Sequence, residues 1–172
     1  MKRIAVLGAG TMGHGIAQVS AAAYPSVALY DVGEDQVEAA LRRVRGNLDK
    51  GVDRGKVTPE DRDRCLSALE GTTSIEAAVS GADLVIEAAP EDMDLKRRIF
   101  AEVARFAPEG ALLATNTSSL SITRIGDTLP DPSRFLGLHF FNPVHIMALV
   151  EVVKSDATGP EALTEALAYV AA

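Results

Sequence analysis

The chain has 172 residues, the size of a single domain that can bury a substantial hydrophobic core. It carries 17 Lys and Arg against 24 Asp and Glu, a formal net charge of −7, which argues against a nucleic-acid partner. The only cysteine, Cys65, rules out a disulfide framework and a cysteine metal cluster, and no apolar run approaches the ~20 residues that cross a bilayer.

These features favour a protein of a reducing, cytoplasmic compartment with neither a metal site nor a membrane partner.

Along the chain, an apolar run at Arg3–Leu7 leads through GAGTMGHG into a helical pattern that Pro25 must end. The pattern then predicts a strand at Val27–Tyr30 and a helix from Glu34 to about Lys50. A second helix follows, with Thr58 as N-cap and Pro59 at its first position. Strands are predicted next at Ala82–Ala88 and Ala111–Thr115, separated by the helical stretch EDMDLKRRIFAEVARFA.

The last third of the chain has a different pattern. Two strand-like runs, Phe135–Phe141 and Met147–Val153, are joined only by NPVHI, which is too short for a helical crossover and predicts an antiparallel hairpin. A final helix over Thr158–Ala172 begins at Gly159-Pro160. We therefore expect an α/β fold with a doubly wound, mostly parallel sheet and a C-terminal hairpin, and ligands beyond the carboxyl ends of its strands.

Glycines between the first strand and the first helix match the motif G-x-G-x-x-G: Gly8, Gly10 and Gly13. In a dinucleotide-binding turn the first allows the tight turn, the second lets a pyrophosphate approach the backbone, and the third lets the helix pack closely. Thr11 and Met12 complete this turn and are further cofactor-binding candidates. Asp31 ends the second strand 18 residues after Gly13, where a carboxylate accepts ribose hydroxyls and repels a 2′-phosphate, so NAD is favoured over NADP.

The alternative interpretation is a structural turn and a surface charge. The occurrence of both features in one strand–helix–strand unit argues against it.

His139 lies inside the otherwise apolar stretch GLHFFNPV. If the hairpin is symmetric about His145, Glu151 lies opposite His139 on the same face. A carboxylate beside an imidazole fixes the tautomer and favours the imidazolium, which is the arrangement of a general base. Taken alone, these residues favour a simpler interpretation, in which Glu151 merely satisfies a core histidine.

The stretch ATNTSSLSI leaves a parallel strand through several hydroxyls and one amide, that of Asn116, where the nicotinamide end of a cofactor would lie. A hydroxyl here could hold a substrate oxygen. Equally, Ser118, Ser119 or Ser121 could cap the short helix that follows. The absence of a G-x-S-x-G motif disfavours serine hydrolase chemistry.

Four stretches resemble the short-chain L-3-hydroxyacyl-CoA dehydrogenases, including the bacterial 3-hydroxybutyryl-CoA enzymes: GAGTMGHGIAQ, DLVIEAAPED with Lys96 five residues after Glu91, ATNTSSLSIT, and GLHFFNPV followed by LVEV. The resemblance spans the whole chain and implies a Rossmann-like NAD-binding domain over residues 1–172. It also implies oxidation of an L-3-hydroxyacyl-CoA to the 3-ketoacyl-CoA, as in fatty acid beta-oxidation, with NAD as hydride acceptor.

The resemblance assigns roles to individual residues. It implies that His139 removes the proton of the 3-hydroxyl, Glu151 orients His139, and Ser118 holds the substrate oxygen. The cofactor neighbours it implies are Glu91, Lys96, Ser118 and Asn142. It points to Lys50 and Arg54 as acyl-CoA contacts, for which plain surface charge is the alternative.

The chain departs from the family pattern at Ala148, where a lysine is common, at His145, and at Tyr24-Pro25. The family continues with a helical second domain of roughly a hundred residues, beyond the usual size of one domain. That domain supplies an active-site asparagine, part of the acyl-CoA site and most of a homodimer interface, and we expect this chain to end before it. Two other functions are compatible with the sequence, a non-catalytic NAD-binding module and hydride transfer on a different 3-hydroxy acid.

Overall fold

The computed structural model describes residues 1–172 as one seven-stranded sheet with helices on both faces. The strands are β1 (Arg3–Leu7), β2 (Ser26–Tyr30), β3 (Leu69–Thr72), β4 (Leu84–Glu87), β5 (Leu112–Thr115), β6 (Phe135–Phe140) and β7 (Val150–Val153). The helices are α1 (Gly13–Ala23), α2 (Glu34–Asp53), α3 (Pro59–Ala68), α4 (Ile75–Val79), α5 (Met93–Phe106), α6 (Ile122–Gly126) and α7 (Pro160–Val170).

The strand order is β3-β2-β1-β4-β5-β6-β7, with every neighbouring pair parallel except β6 and β7. This confirms the predicted doubly wound, Rossmann-like α/β sheet with an antiparallel C-terminal hairpin. The chain winds outward from β1 in both directions, so β1 and β4 flank the point where the strand order reverses. In open sheets of this kind the ligand crevice lies there, at the carboxyl ends of the strands.

Alternate side chains of the central strands supply two separate cores. On β1, Ile4 and Val6 belong to the core under α1, α2, α3 and α7, whereas Ala5 and Leu7 belong to the core under α4, α5 and α6. This division follows from the two-residue period of a strand. Burial on both faces explains why these strands read as continuous apolar runs.

The sequence pattern does not predict two of the observed elements, the strand β3 and the short helix α4. The strand β3 has the sequence LEGT, lies at the sheet edge and has no buried residue, so no apolar alternation marks it. Helix α4 has only five residues, although Ser74 caps it by accepting a hydrogen bond from the backbone N–H of Ala77.

The hairpin also differs in detail from the prediction. Strand β7 begins at Val150 instead of Met147, and the connection covers residues 141–149, with a cis peptide bond between Asn142 and Pro143. The first strand ends one residue earlier and the second begins three residues later than predicted, which centres the connection on His145, and the register pairs His139 with Glu151 as predicted. None of the helices has both the length and the apolar character that crossing a membrane requires.

Candidate cofactor and active site

The glycine turn borders a cleft of about 770 Å³ over the carboxyl ends of β1, β2 and β4. Gly8 has a φ of +106°, and a Cβ there would lie 2.8 Å from the carbonyl oxygen of Ala88. At Gly13 a Cβ would lie 1.6 Å from the carbonyl oxygen of Gly8. A Cβ on Gly10 would meet no atom within 4 Å. Packing therefore requires two of the glycines, whereas Gly10 leaves open space in the cleft.

Asp31 lies beside this turn, directly after β2. Its Oδ2 accepts a hydrogen bond of 2.7 Å from the backbone N–H of Ala9, and the carboxylate lines the same cleft as Gly10 and Thr11. The N-terminus of α1 begins at Gly13 and offers unpaired N–H groups to an anion. Val32, which is 83% exposed, adds an apolar wall beside the carboxylate. The cleft thus combines an anion site with a carboxylate that can accept hydroxyl hydrogens.

A second pocket, of about 370 Å³, adjoins the cleft and shares Met12, Ala88 and Ala89 with it. Polar side chains from three separate stretches of sequence line it: Glu91, Asn116, Ser118, His139 and Asn142. The fold thus brings most of the predicted residues of the nicotinamide end to one place.

His139 and Glu151 face each other across the hairpin. The Nδ1 atom of His139 lies 2.8 Å from the Oε2 atom of Glu151, and the imidazole is 21% exposed. The other ring nitrogen, Nε2, makes no hydrogen bond to the protein. With the carboxylate accepting from Nδ1, the neutral ring carries its proton there, and Nε2 becomes the acceptor. This arrangement can take a proton from a ligand in the pocket that His139 lines.

Glu91 organises the turn that contains Ser118. Its Oε1 atom accepts hydrogen bonds from the Ser118 backbone N–H at 2.8 Å and from the Thr117 hydroxyl. Partial burial pushes the pKa of Glu91 upward, but these hydrogen bonds and the Lys96 ammonium outweigh it, so the pKa lies below the ordinary carboxyl value. Ser121, instead of Ser118, caps α6 by accepting from the backbone N–H of Arg124, which leaves Ser118 at the pocket.

Lys96 and Asn116 bind other residues of the protein that surround the pocket. The Lys96 ammonium is 1% exposed and lies 2.7 Å from Glu87 Oε1 and 3.4 Å from Glu91 Oε2. The structure therefore places this ammonium beneath the pocket surface, behind Glu91. Asn116 Oδ1 accepts a hydrogen bond of 2.9 Å from the backbone N–H of Phe140, which ties the end of β5 to the end of β6.

Lys50 and Arg54 lie away from both pockets. Lys50 is in the last turn of α2, 16 residues and roughly 24 Å along the helix axis from Glu34, at the end of the helix that is remote from the cleft. Arg54 follows as the C-cap, and both side chains are exposed. The structure does not bring these two residues to the other predicted site residues.

Comparison with known proteins decides the family. Residues 3–172 match the family model described as 3-hydroxyacyl-CoA dehydrogenase, NAD binding domain. The chain belongs to this family.

Relatives of this 3-hydroxyacyl-CoA dehydrogenase domain are similar over nearly its whole length. It is 44% identical over 165 residues to a 3-hydroxyadipyl-CoA dehydrogenase of Escherichia coli, covering 96% of this chain and 34% of that protein. It is 43% identical over 159 residues to a 3-hydroxybutyryl-CoA dehydrogenase of Mycobacterium tuberculosis, covering 92% of this chain and 55% of that protein. A crystal structure of 3-hydroxybutyryl-CoA dehydrogenase from Escherichia coli superposes with a TM-score of 0.96 at 43% identity, covering 99% and 36% of the two chains.

The chain thus spans from about one third to just over one half of the length of these three relatives. The site fits NAD, the cofactor of the 3-hydroxyacyl-CoA dehydrogenase NAD-binding domain. The space above Gly10, the free N-terminus of α1 and the Asp31 carboxylate provide room for a pyrophosphate and an acceptor for ribose hydroxyls in one cleft. The prediction of NAD is confirmed.

Two residues behind the site of this 3-hydroxyacyl-CoA dehydrogenase domain were not predicted from the sequence. Glu87 ends β4 and binds the Lys96 ammonium, and Thr117 donates its hydroxyl to Glu91. A carboxylate at the end of an apolar parallel strand is a signal that could have identified Glu87. Thr117 carries no comparable signal, because a hydroxyl in a serine-rich turn has many local partners.

Proposed function

We propose that the protein oxidises an L-3-hydroxyacyl-CoA to the 3-ketoacyl-CoA with NAD, the chemistry of fatty acid beta-oxidation, and that this chain is its NAD-binding domain over residues 1–172. The observation that carries the proposal is the His139–Glu151 pair, with 2.8 Å between Nδ1 and Oε2, in a pocket that adjoins the glycine cleft. The names of the relatives from Escherichia coli and Mycobacterium tuberculosis support the same reaction class.

The proposed catalytic residues divide the proton chemistry among them. NAD, when bound, accepts the hydride from the 3-carbon. His139 takes the proton of the 3-hydroxyl on Nε2, Glu151 stabilises the resulting imidazolium, and the Ser118 hydroxyl donates a hydrogen bond to the substrate oxygen. The 2.8 Å contact with Glu151 keeps Nε2 of the neutral imidazole available as the base.

The proposed cofactor contacts follow the two adjoining pockets. Gly8, Gly10, Thr11, Met12 and Gly13 would hold the pyrophosphate at the turn and the start of α1. Asp31 would accept from the ribose hydroxyls of the adenosine half. Glu91, Asn116, Ser118 and Asn142 would surround the nicotinamide half in the second pocket, with Lys96 acting through Glu91.

The acyl-CoA contacts and the cellular setting are further parts of the proposal. We propose that Lys50 and Arg54 attract the phosphates of CoA from their exposed position at the end of α2. Competition by free CoA for substrate binding, lost in a Lys50→Ala/Arg54→Ala variant, supports this, whereas no competition favours a different 3-hydroxy acid. We also propose a cytoplasmic enzyme whose full-length form dimerises through a helical second domain.

NADH formation from 3-hydroxybutyryl-CoA tests the reaction, using the full-length polypeptide that contains residues 1–172. We expect His139→Ala to reduce kcat by about 10²- to 10⁴-fold, the usual contribution of a general base, with little change in NAD affinity. The control is His145→Ala, an exposed histidine of the same hairpin, which should retain the parent rate. Unchanged turnover in His139→Ala would reject the proposed base. NAD binding without turnover by the parent would favour a non-catalytic NAD-binding module.

A further inference from the structure

A buried carboxylate lies beneath the cleft and has no part in the chemistry described above. Glu87, the last residue of β4, is 0% exposed. Its two oxygens accept from the Lys96 ammonium at 2.7 and 3.0 Å, from the Ala89 N–H at 2.6 Å and from the Thr115 hydroxyl at 2.6 Å. Its hydrogen-bonding capacity is therefore used entirely within the protein.

The peptide groups of Ala89 are held from both sides by this ion pair. The Ala89 N–H donates to Glu87, and the Ala89 carbonyl accepts from the Lys96 ammonium at 3.1 Å. Ala88 and Ala89 line both the glycine cleft and the pocket of His139. The Ala88 carbonyl also abuts Gly8, where an added Cβ would lie 2.8 Å away. The ion pair thus sets the position of the wall that the two pockets share.

Glu87 also determines what Glu91 can do. Both carboxylates approach the same ammonium, but Glu87 lies at 2.7 Å and Glu91 at 3.4 Å. Because Glu87 holds Lys96 more closely, Glu91 remains with the backbone N–H of Ser118. Removing the Glu87 charge would leave Glu91 as the only carboxylate near Lys96 and would draw it away from the serine turn.

General stability does not account for this ion pair. Desolvation of two buried charges offsets most of their attraction, and well-packed apolar residues often do as well or better. A buried pair at the wall of a ligand cleft is better explained by the geometry that it imposes on that wall.

We propose that Glu87 is a positioning residue for NAD binding, acting through the Ala89 peptides and through Lys96 on Glu91. The proposal rests on the NAD-binding part of the proposed function and does not depend on the acyl substrate. Glu87 touches neither the cofactor site nor the pocket surface, so its effect on NAD is indirect.

The test compares Glu87→Gln with a matched control, Val103→Ala, in the full-length polypeptide. Val103 is buried on α5, the helix that carries Lys96, and lines neither pocket, so its truncation leaves a cavity in the core beneath that helix. We expect Glu87→Gln to weaken NAD binding by about tenfold, as expected when a charged hydrogen-bond partner is lost. Val103→Ala should lower Tm but change the NAD Kd less than about twofold, because Val103 lines neither pocket and makes no hydrogen bond to Ala89 or Lys96 through its apolar side chain.

Hydrogen exchange without NAD supplies a readout that does not depend on the cofactor. In Glu87→Gln the amides of Ala89 and Ser118 should exchange at least about tenfold faster than in the parent, and in Val103→Ala these two amides should keep their protection relative to the rest of the sheet. An unchanged NAD Kd together with unchanged exchange at Ala89 would overturn the proposal.

If Glu87→Gln does not fold, Glu87→Asp replaces it, because the shorter acid keeps the charge but cannot span from Ala89 to Lys96. Parent-like NAD affinity and Ala89 exchange in Glu87→Asp would then overturn the proposal. If the parent protein fails to bind NAD, the proposed function fails, whereas the exchange comparison still decides whether Glu87 positions the wall.

Discussion

The substitution Gly10→Ala separates ligand binding from folding at the glycine turn. Gly10 does not have a positive φ, and an added Cβ would meet no protein atom within 4 Å. The methyl group should therefore fit without strain and project into the cleft. Since alanine reduces the freedom of the unfolded chain, the free energy of unfolding should rise by about 0.4–1 kcal/mol.

The same methyl group should weaken NAD binding. It would occupy the space through which a pyrophosphate approaches the backbone of the turn. A hydrogen bond to a charged group contributes about 1.5–3 kcal/mol, so loss of one corresponds to a roughly 10- to 150-fold increase in Kd. Tm and Kd should consequently both increase, a combination that general destabilisation cannot produce.

Thermal unfolding and calorimetric titration with NAD measure the two quantities, and two further glycines serve as controls. Gly46→Ala, in the middle of α2, where an added Cβ would meet no atom within 4 Å, should gain about 1 kcal/mol of stability and keep the parent Kd. Gly13→Ala should fail to fold or lose about 3 kcal/mol or more, since its Cβ would lie 1.6 Å from the Gly8 carbonyl oxygen. A parent-like NAD Kd in a folded Gly10→Ala protein would refute the placement of the pyrophosphate.

Three other predictions concern the cofactor, the core and the response to acid. Asp31→Asn should raise the NAD Kd by about tenfold. It should also bring the NADP Kd closer to the NAD Kd, because repulsion of a 2′-phosphate is lost. If titrations with both nucleotides give the parent's ratio of the two Kd values, the assignment of Asp31 to the ribose is contradicted. Tyr169→Phe should lower the free energy of unfolding, measured by urea denaturation, by about 1–3 kcal/mol. In the parent the buried Ser20 hydroxyl lies 2.7 Å from the Tyr169 hydroxyl, and the substitution leaves it without a partner. The hydrogen bond from Arg134 lowers the pKa of Glu165 below its ordinary value of 4.5, so its stabilisation is complete above that value and disappears as the pH falls through the lower folded pKa. The Tm difference between Glu165→Gln and the parent should therefore shrink as the pH falls below about 4.5. A Tm difference that does not depend on pH would contradict a stabilising role of the Glu165 carboxylate.

The sheet could be predicted from the sequence wherever its strands are buried on both faces. Runs such as Arg3–Leu7 are continuous and apolar because two cores cover them. The facing of His139 and Glu151 was predictable for another reason. Register in a hairpin depends on positions counted from its centre, and the longer connection kept that centre at His145.

Other features depend on contacts that leave no local pattern. Strand β3 is stabilised by its place beside β2, which compensates for its polar sequence LEGT. The role of Glu87 depends on Lys96, nine residues away, and on Thr115, 28 residues away. For Lys50, the family resemblance implied a contact, but only the course of α2 reveals its distance from the cleft. Tertiary geometry, and not the type of residue, distinguishes these positions.

The edge position of β7 limits how long the proposed base stays oriented. Glu151 lies on a four-residue strand that pairs with β6 on one side only, and no further strand covers its outer edge. Fraying of these few residues would release the carboxylate from the imidazole while the six parallel strands stay intact, because local openings at an edge require far less free energy than global unfolding. A partner or ligand that binds this edge would therefore keep Glu151 in contact with His139 for longer without altering the rest of the domain.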